Sequence, residues 1–117
     1  MINCTFAGPD IMPGATFDQK FLIPLPATTI VYGTIIYQQL GDTKLQLEIG
    51  TDATVEPLDA EASVIVVPFT QGRSLVFDQP YPAECQINIL TDSGERAVTE
   101  IMTLSVGTNM DMEVMTV

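Results

Sequence analysis

One hairpin, from Glu84 to Val106, constrains this chain more than any other stretch. Its first arm reads Glu-Cys-Gln-Ile-Asn-Ile-Leu-Thr. Its second reads Arg-Ala-Val-Thr-Glu-Ile-Met-Thr-Leu-Ser-Val, and Asp92-Ser93-Gly94-Glu95 joins them. Both arms are rich in Ile, Val and Thr, whose branched side chains suit a pleated surface. The joint is short and polar, with Gly94 free to take a positive φ. Such a segment requires an antiparallel β fold whose pairing is local here.

The rest of the chain reads the same way. Ala15 to Ile23 alternates, with Phe17, Phe21 and Ile23 on one face and Thr16, Asp18 and Lys20 on the other. Ile30 to Gln39 is a long β-branched and aromatic run, suited to a central strand. Leu40-Gly41-Asp42 is a turn, and Lys44 to Ile49 turns Leu45, Leu47 and Ile49 inward, giving a second hairpin. Gly50 to Ala62 is an acidic loop around a short edge strand near Thr54 to Glu56. Ser63 to Phe69 is a compact strand ended by Pro68. Thr70 to Ser74 can form one helical turn capped by Thr70. Asp78 to Pro82 is a rigid turn.

About seven short strands with almost no helix predict an all-β fold: an immunoglobulin-like antiparallel β-sandwich, with a small β-barrel as the alternative. The expected division is a single sandwich domain over residues 1–107 and a C-terminal strand or arm over 108–117.

Composition narrows the function. The chain has 117 residues, 46% of them hydrophobic, which is enough for a packed core. Fifteen acids face four bases, for a net charge of −11. Lys20, Lys44, Arg73 and Arg96 are scattered, so neither nucleic acid nor an anionic membrane is an expected partner. The longest apolar run, Ile30 to Tyr37, is too short to span a bilayer. Met1 to Asp10 lacks the basic and apolar pattern of a signal peptide, so the expectation is a chain made in, and soluble in, a cytoplasm. Cys4 and Cys85 are then expected to be reduced, with a bridge between them as the alternative.

Candidate chemistry is sparse. No His is present, so the usual Ser or Cys nucleophile lacks its base. Cys85 alternates with Ile87 and Ile89 and reads as a core thiol. The acid pairs Asp59 and Glu61, and Asp52 and Glu56, sit in a polar loop and read as a solvated face rather than a glycosidase pair. Two Cys without His do not make a usual zinc set. Calcium on an acidic loop is the remaining metal alternative, although Asp92-Ser93-Gly94-Glu95 reads first as a turn. No catalytic residue, cofactor or metal ligand is assigned, and the chain is expected not to be an enzyme.

Met crowds the end of the chain at Met102, Met110, Met112 and Met115. Flexible Met side chains suit adaptable contact surfaces. Met110, Met112, Val114 and Met115 are therefore the candidate partner-binding residues. Their alternation with Asp111 and Glu113 suits an added strand, paired with a sheet edge of this chain or of a neighbour.

The order of these features resembles the amino-terminal domain of upper baseplate proteins from tailed phages of Gram-positive bacteria. Pro13-Gly14-Ala15-Thr16-Phe17 stands where that family has a Gly-Asp-Thr-Phe-like segment entering a strand. Ile30 to Gly41, Ser63 to Pro68, Tyr81, Gln86-Ile87-Asn88, Asp92-Ser93-Gly94 and Leu104-Ser105-Val106-Gly107 follow in similar order. The resemblance spans about residues 13 to 107. Ala15 departs from the family's acid, and residues 52 to 61 are more Asp-rich. The long carboxy-terminal region that those subunits use to hold receptor-binding proteins has no counterpart.

The resemblance implies a non-catalytic structural protein of a phage or prophage particle, in baseplate, tail or head, made in a bacterial cytoplasm. Edge strands that recruit neighbours by main-chain pairing lead to the expectation of self-association as a ring or trimer, with contacts to other virion proteins. A carbohydrate- or ligand-binding module on the same fold is the alternative, and its aromatic platform would have to come from Tyr32, Tyr37 and Tyr81.

Overall fold

The computed structural model describes all residues, 1–117. Nine strands form two antiparallel sheets. They are β1 (Thr5–Phe6), β2 (Phe17–Ile23), β3 (Ile30–Gln39), β4 (Asp42–Glu48), β5 (Thr54–Pro57), β6 (Ser63–Phe69), β7 (Ala83–Thr91), β8 (Arg96–Val98) and β9 (Met102–Leu104), with one short α-helix, α1 (Gln71–Leu75), between β6 and β7 and a 3₁₀ turn at Ala27–Thr29 before β3. The first sheet runs β1-β2-β6-β5 and the second β4-β3-β7-β8, with β9 continuing beside β7. Lettered in chain order, these sheets are A-B-E-D and C′-C-F-G, the immunoglobulin arrangement with one added strand. Two separate sheets exclude the barrel.

Each sheet turns one face inward, and apolar alternation selects which. Phe21, Ile23, Ile65, Val67 and Phe69 from one sheet meet Ile35, Tyr37, Ile87 and Ile89 from the other. Phe17 stacks on Phe69 at 4.8 Å, and Tyr37 meets the edge of Phe69 at 5.5 Å and of Phe77 at 5.9 Å. Gly33 is small for a reason: a Cβ there would lie 2.6 Å from Ile49 Cδ1 and 2.7 Å from Asn88 O.

The predicted turns form. Leu40 and Gly41 both have positive φ, at 54° and 83°, which closes the two-residue β3–β4 hairpin. Gly94 has φ 83°. Thr70 caps α1, its hydroxyl accepting from the Arg73 amide at 3.1 Å. β5 lies at the sheet edge, where Pro57 can go without a ladder donor. β6 runs one residue past Pro68 to Phe69.

Three details differ from the sequence reading. The second hairpin arm is not continuous. It breaks at residues 99–101, which separates β8 from β9 and raises the strand count. There Thr99 turns inward, and its hydroxyl accepts from the Ile87 amide at 3.0 Å while donating to Glu100 O at 3.0 Å. The side chain takes the place of a ladder carbonyl, and Ile101 swings out to 59% exposure. Next, the inward face of β2 holds a polar residue, Gln19, which is fully buried. It is satisfied by Tyr37 OH, which donates to Oε1 at 2.7 Å, and by Pro9 O, which accepts from Nε2 at 2.9 Å. Finally, residues 108–117 form no strand within the chain.

Candidate functional site

The tail is held by side chains rather than by a sheet. Gln79 brackets Asn109: its Oε1 accepts from the Asn109 amide at 2.7 Å, and its Nε2 donates to Asn109 O at 2.7 Å. Asn109 Nδ2 also donates to Pro13 O at 2.7 Å. Six residues on, Gln71 on α1 brackets Met115 in the same way, at 2.7 and 3.0 Å. Each glutamine amide presents one donor and one acceptor to the C=O and N–H of a single residue, as a neighbouring strand would.

Local bonds explain why the tail is not a strand. Asn109 Oδ1 accepts from the Asp111 amide, and Asp111 Oδ1 accepts from the Glu113 amide, both at 3.0 Å. Such turns compete with ladder pairing. Alternation suggested a pleat, but the same alternation places turn-forming Asn109 and Asp111 two residues apart. That spacing is a turn signal present in the sequence.

The candidate residues Met110, Met112, Val114 and Met115 are all exposed. The backbone is thus tethered at two points while the apolar side chains face outward.

The other candidates disperse. Asp52 is tied to Arg73 at 3.0 Å and to the Glu48 amide at 2.9 Å. Asp59 Oδ1 accepts from the Glu61 and Ala62 amides at 2.8 Å, fixing its own loop. No group of three or more Cys, Asp or Glu side chains converges as a metal site. Cys4 and Cys85 are free thiols. Burial pushes Cys4 up to about 11. Burial also pushes Cys85 well up, and Tyr37 likewise. These thiols stay protonated near neutral pH and are poor nucleophiles.

Of the tyrosines, Tyr37 is buried while Tyr32 and Tyr81 are exposed. Tyr32 pairs with Leu90 at one end of β7, and Tyr81 precedes Ala83 at the other. Seven residues of strand, about 23 Å, separate those ends, so no single aromatic platform forms.

The remaining surface feature is the outer face of the β4-β3-β7-β8 sheet. Two shallow depressions of about 170 and 230 Å³ lie along it and share Asn88 in their lining. The first is bordered by Ile36, Gln86 and Ile101, the second by Tyr32, Leu90 and Arg96. Sequence reading missed this face because it combines residues from strands far apart in the chain.

The class defined here is the immunoglobulin-like β-sandwich. No protein-family model matches the sequence, and neither does any curated protein. Solved structures similar to the chain include a chain from a study of T cell specificity and activation by the bacterial superantigen toxic shock syndrome toxin-1. It has TM-score 0.47 and 11% identity, covering 91% of this chain and 99% of that one. Another is AggA, the major subunit of aggregative adherence fimbriae type I from Escherichia coli. It has TM-score 0.43 and 6% identity, covering 92% and 95%.

Proposed function

We propose that this protein is a non-catalytic assembly module that acts through protein–protein contacts. The observation that carries the reading is the tail. Two glutamines satisfy its backbone at Asn109 and Met115, while Met110, Val114 and Met115 are left in water. Exposed apolar side chains on a tethered backbone gain nothing unless a partner covers them, and burying each contributes about 1–2 kcal/mol. The dispersal of the acids and the raised thiols add support.

The proposed setting is a phage or prophage particle, with other virion proteins as partners. What supports that setting is the order of turns and strands between residues 13 and 107.

The test is co-expression with the products of genes adjacent to its own, followed by size-exclusion chromatography. The full chain is expected to enter a discrete complex, and a chain lacking residues 110–117 is expected to stay outside it. A full chain that remains free with every neighbouring product would overturn the reading.

A further inference from the structure

We infer that a second copy of this chain packs on the outer face of the β4-β3-β7-β8 sheet, as a weak two-fold dimer. The inference rests on the assembly reading and names one of its partners.

Charge restricts where two copies can meet. With fifteen acids and four bases, two copies repel wherever carboxylates crowd the contact. The middle of this face, on β3, β7 and β8, keeps its carboxylates at the margins: Glu48 on β4, opposite Thr34 and accepting from the Tyr32 hydroxyl at 3.2 Å, and Glu84 toward the start of β7. Thr34 pairs with Asn88 and Asn88 with Val98, while Ile36 pairs with Gln86. None of these five carries a charge, and Tyr32, Leu90 and Ile101 add exposed apolar area beside them.

This face also carries a cation without an anion. The chain's ion pairs are Lys44–Asp78 and Arg73–Asp52. Arg96 has neither an Asp nor a Glu partner and bonds only Asn88 Oδ1, at 3.0 Å. It sits opposite Leu90. Glu84, exposed and also without a cation, lies six residues back along β7.

Symmetry joins the two. A two-fold axis lying between the two outer faces, perpendicular to β7 and level with Ile87, exchanges the Leu90 and Glu84 ends. Arg96 of each copy then lies over the Glu84 end of the other, which gives two pairs per dimer. Only a second copy supplies this reciprocal match.

The area sets the strength. Four strands about 4.8 Å apart and about seven residues long cover roughly 450 Å² per copy. Roughly 900 Å² in total lies below the standard interface and belongs with transient contacts. Sheets pack face to face about 10 Å apart with a modest crossing angle, as the two sheets already do inside this chain.

Sedimentation equilibrium from about 10 µM to about 1 mM tests this, since a contact of this size should half-form within that range. The mass is expected to rise from 12.7 kDa toward twice that value. Ile101→Asp, at an exposed site, should raise the half-dimerisation concentration at least ~10-fold. Arg96→Glu should do likewise, and adding Glu84→Arg should restore it. Concentration-dependent amide shifts should centre on Tyr32, Asn88 and Ile101.

A monomer across the whole range overturns the inference. So does a dimer untouched by these substitutions, or one whose shifts fall on residues 110–117. A monomer that still joins its genomic neighbours' products leaves the assembly reading standing without self-pairing, whereas a chain that does neither loses both.

Discussion

The β7–β9 hairpin and the tail at 108–117 carry the same alternation of apolar and polar residues, yet only the hairpin is a sheet. The hairpin has β3 on its other flank, and its inward residues Cys85, Ile87 and Ile89 find an opposing sheet. The tail meets no free edge, and its Asn109 and Asp111 bend it through local turns. Alternation therefore proposes a strand, while a neighbouring edge and an opposing face decide whether it forms. In the hairpin, side chains carry the energy and the backbone follows. In the tail, the backbone is held and the side chains are idle.

Truncation should expose this contrast most strongly. Ile87→Ala is expected to cost about 3 kcal/mol in urea unfolding, since the site is fully buried. Met110→Ala should stay within about 0.5 kcal/mol, because its side chain touches little but water. Similar losses at the two sites would end the comparison.

Thr99→Val probes the break in the hairpin. It keeps the shape but orphans the Ile87 amide. A loss of about 1–3 kcal/mol is expected. A variant as stable as the parent would mean that the amide finds water or another acceptor.

Gly94→Val isolates turn strain, because a Cβ there meets nothing within 4 Å. The positive φ alone should cost about 1–2 kcal/mol. An unchanged melting temperature would mean that the turn readjusts freely.

Alkaline pH offers a smaller effect. The Cys4 thiol titrates near 9 when unfolded and at about 11 when folded, because burial opposes the thiolate. The unfolded chain therefore releases this proton first, and stability falls as pH rises from 9 through about 11. Cys4→Ser should flatten the early part of that decline. An identical pH profile in the variant would remove Cys4 as its source.

The smallest effect belongs to the tail latch. Gln71→Ala should leave global stability within about 0.5 kcal/mol. It should also accelerate hydrogen exchange at the Met115 amide, which Gln71 Oε1 now accepts. Unchanged exchange would show that the bracket confers no protection.

Much of the fold could be read from local pattern. Gly94, the run from Ile30 to Gln39 and the Thr70 cap each act within a few residues, so the sequence displays them directly. The glutamines behave differently. Gln19 reaches Tyr37, Gln39 holds Asp78 and Tyr81, Gln79 holds Asn109, and Gln71 holds Met115. A glutamine looks like a surface residue until the fold brings a distant peptide to it. Gln19 and Gln39 are fully buried for this reason, at positions where alternation alone would put an apolar side chain. The uncharged middle of the outer face was hidden similarly, since it emerges only when β3, β7 and β8 lie side by side.

The glutamine brackets on the tail also fix how its attachment responds to temperature. Heat capacity changes when apolar surface enters or leaves water. Met110, Val114, Met115 and Val117 are already in water while the tail is latched. Met112, at 38% exposure, is the most covered of the tail's large apolar side chains, so letting go exposes little new apolar area and the step carries only a small heat-capacity change. The sandwich must follow a curved stability profile with a maximum, whereas the latch follows a nearly straight one. Warming thus loosens the tail gradually, well before the sheets part, and a calorimeter tuned to the main transition would register nearly nothing.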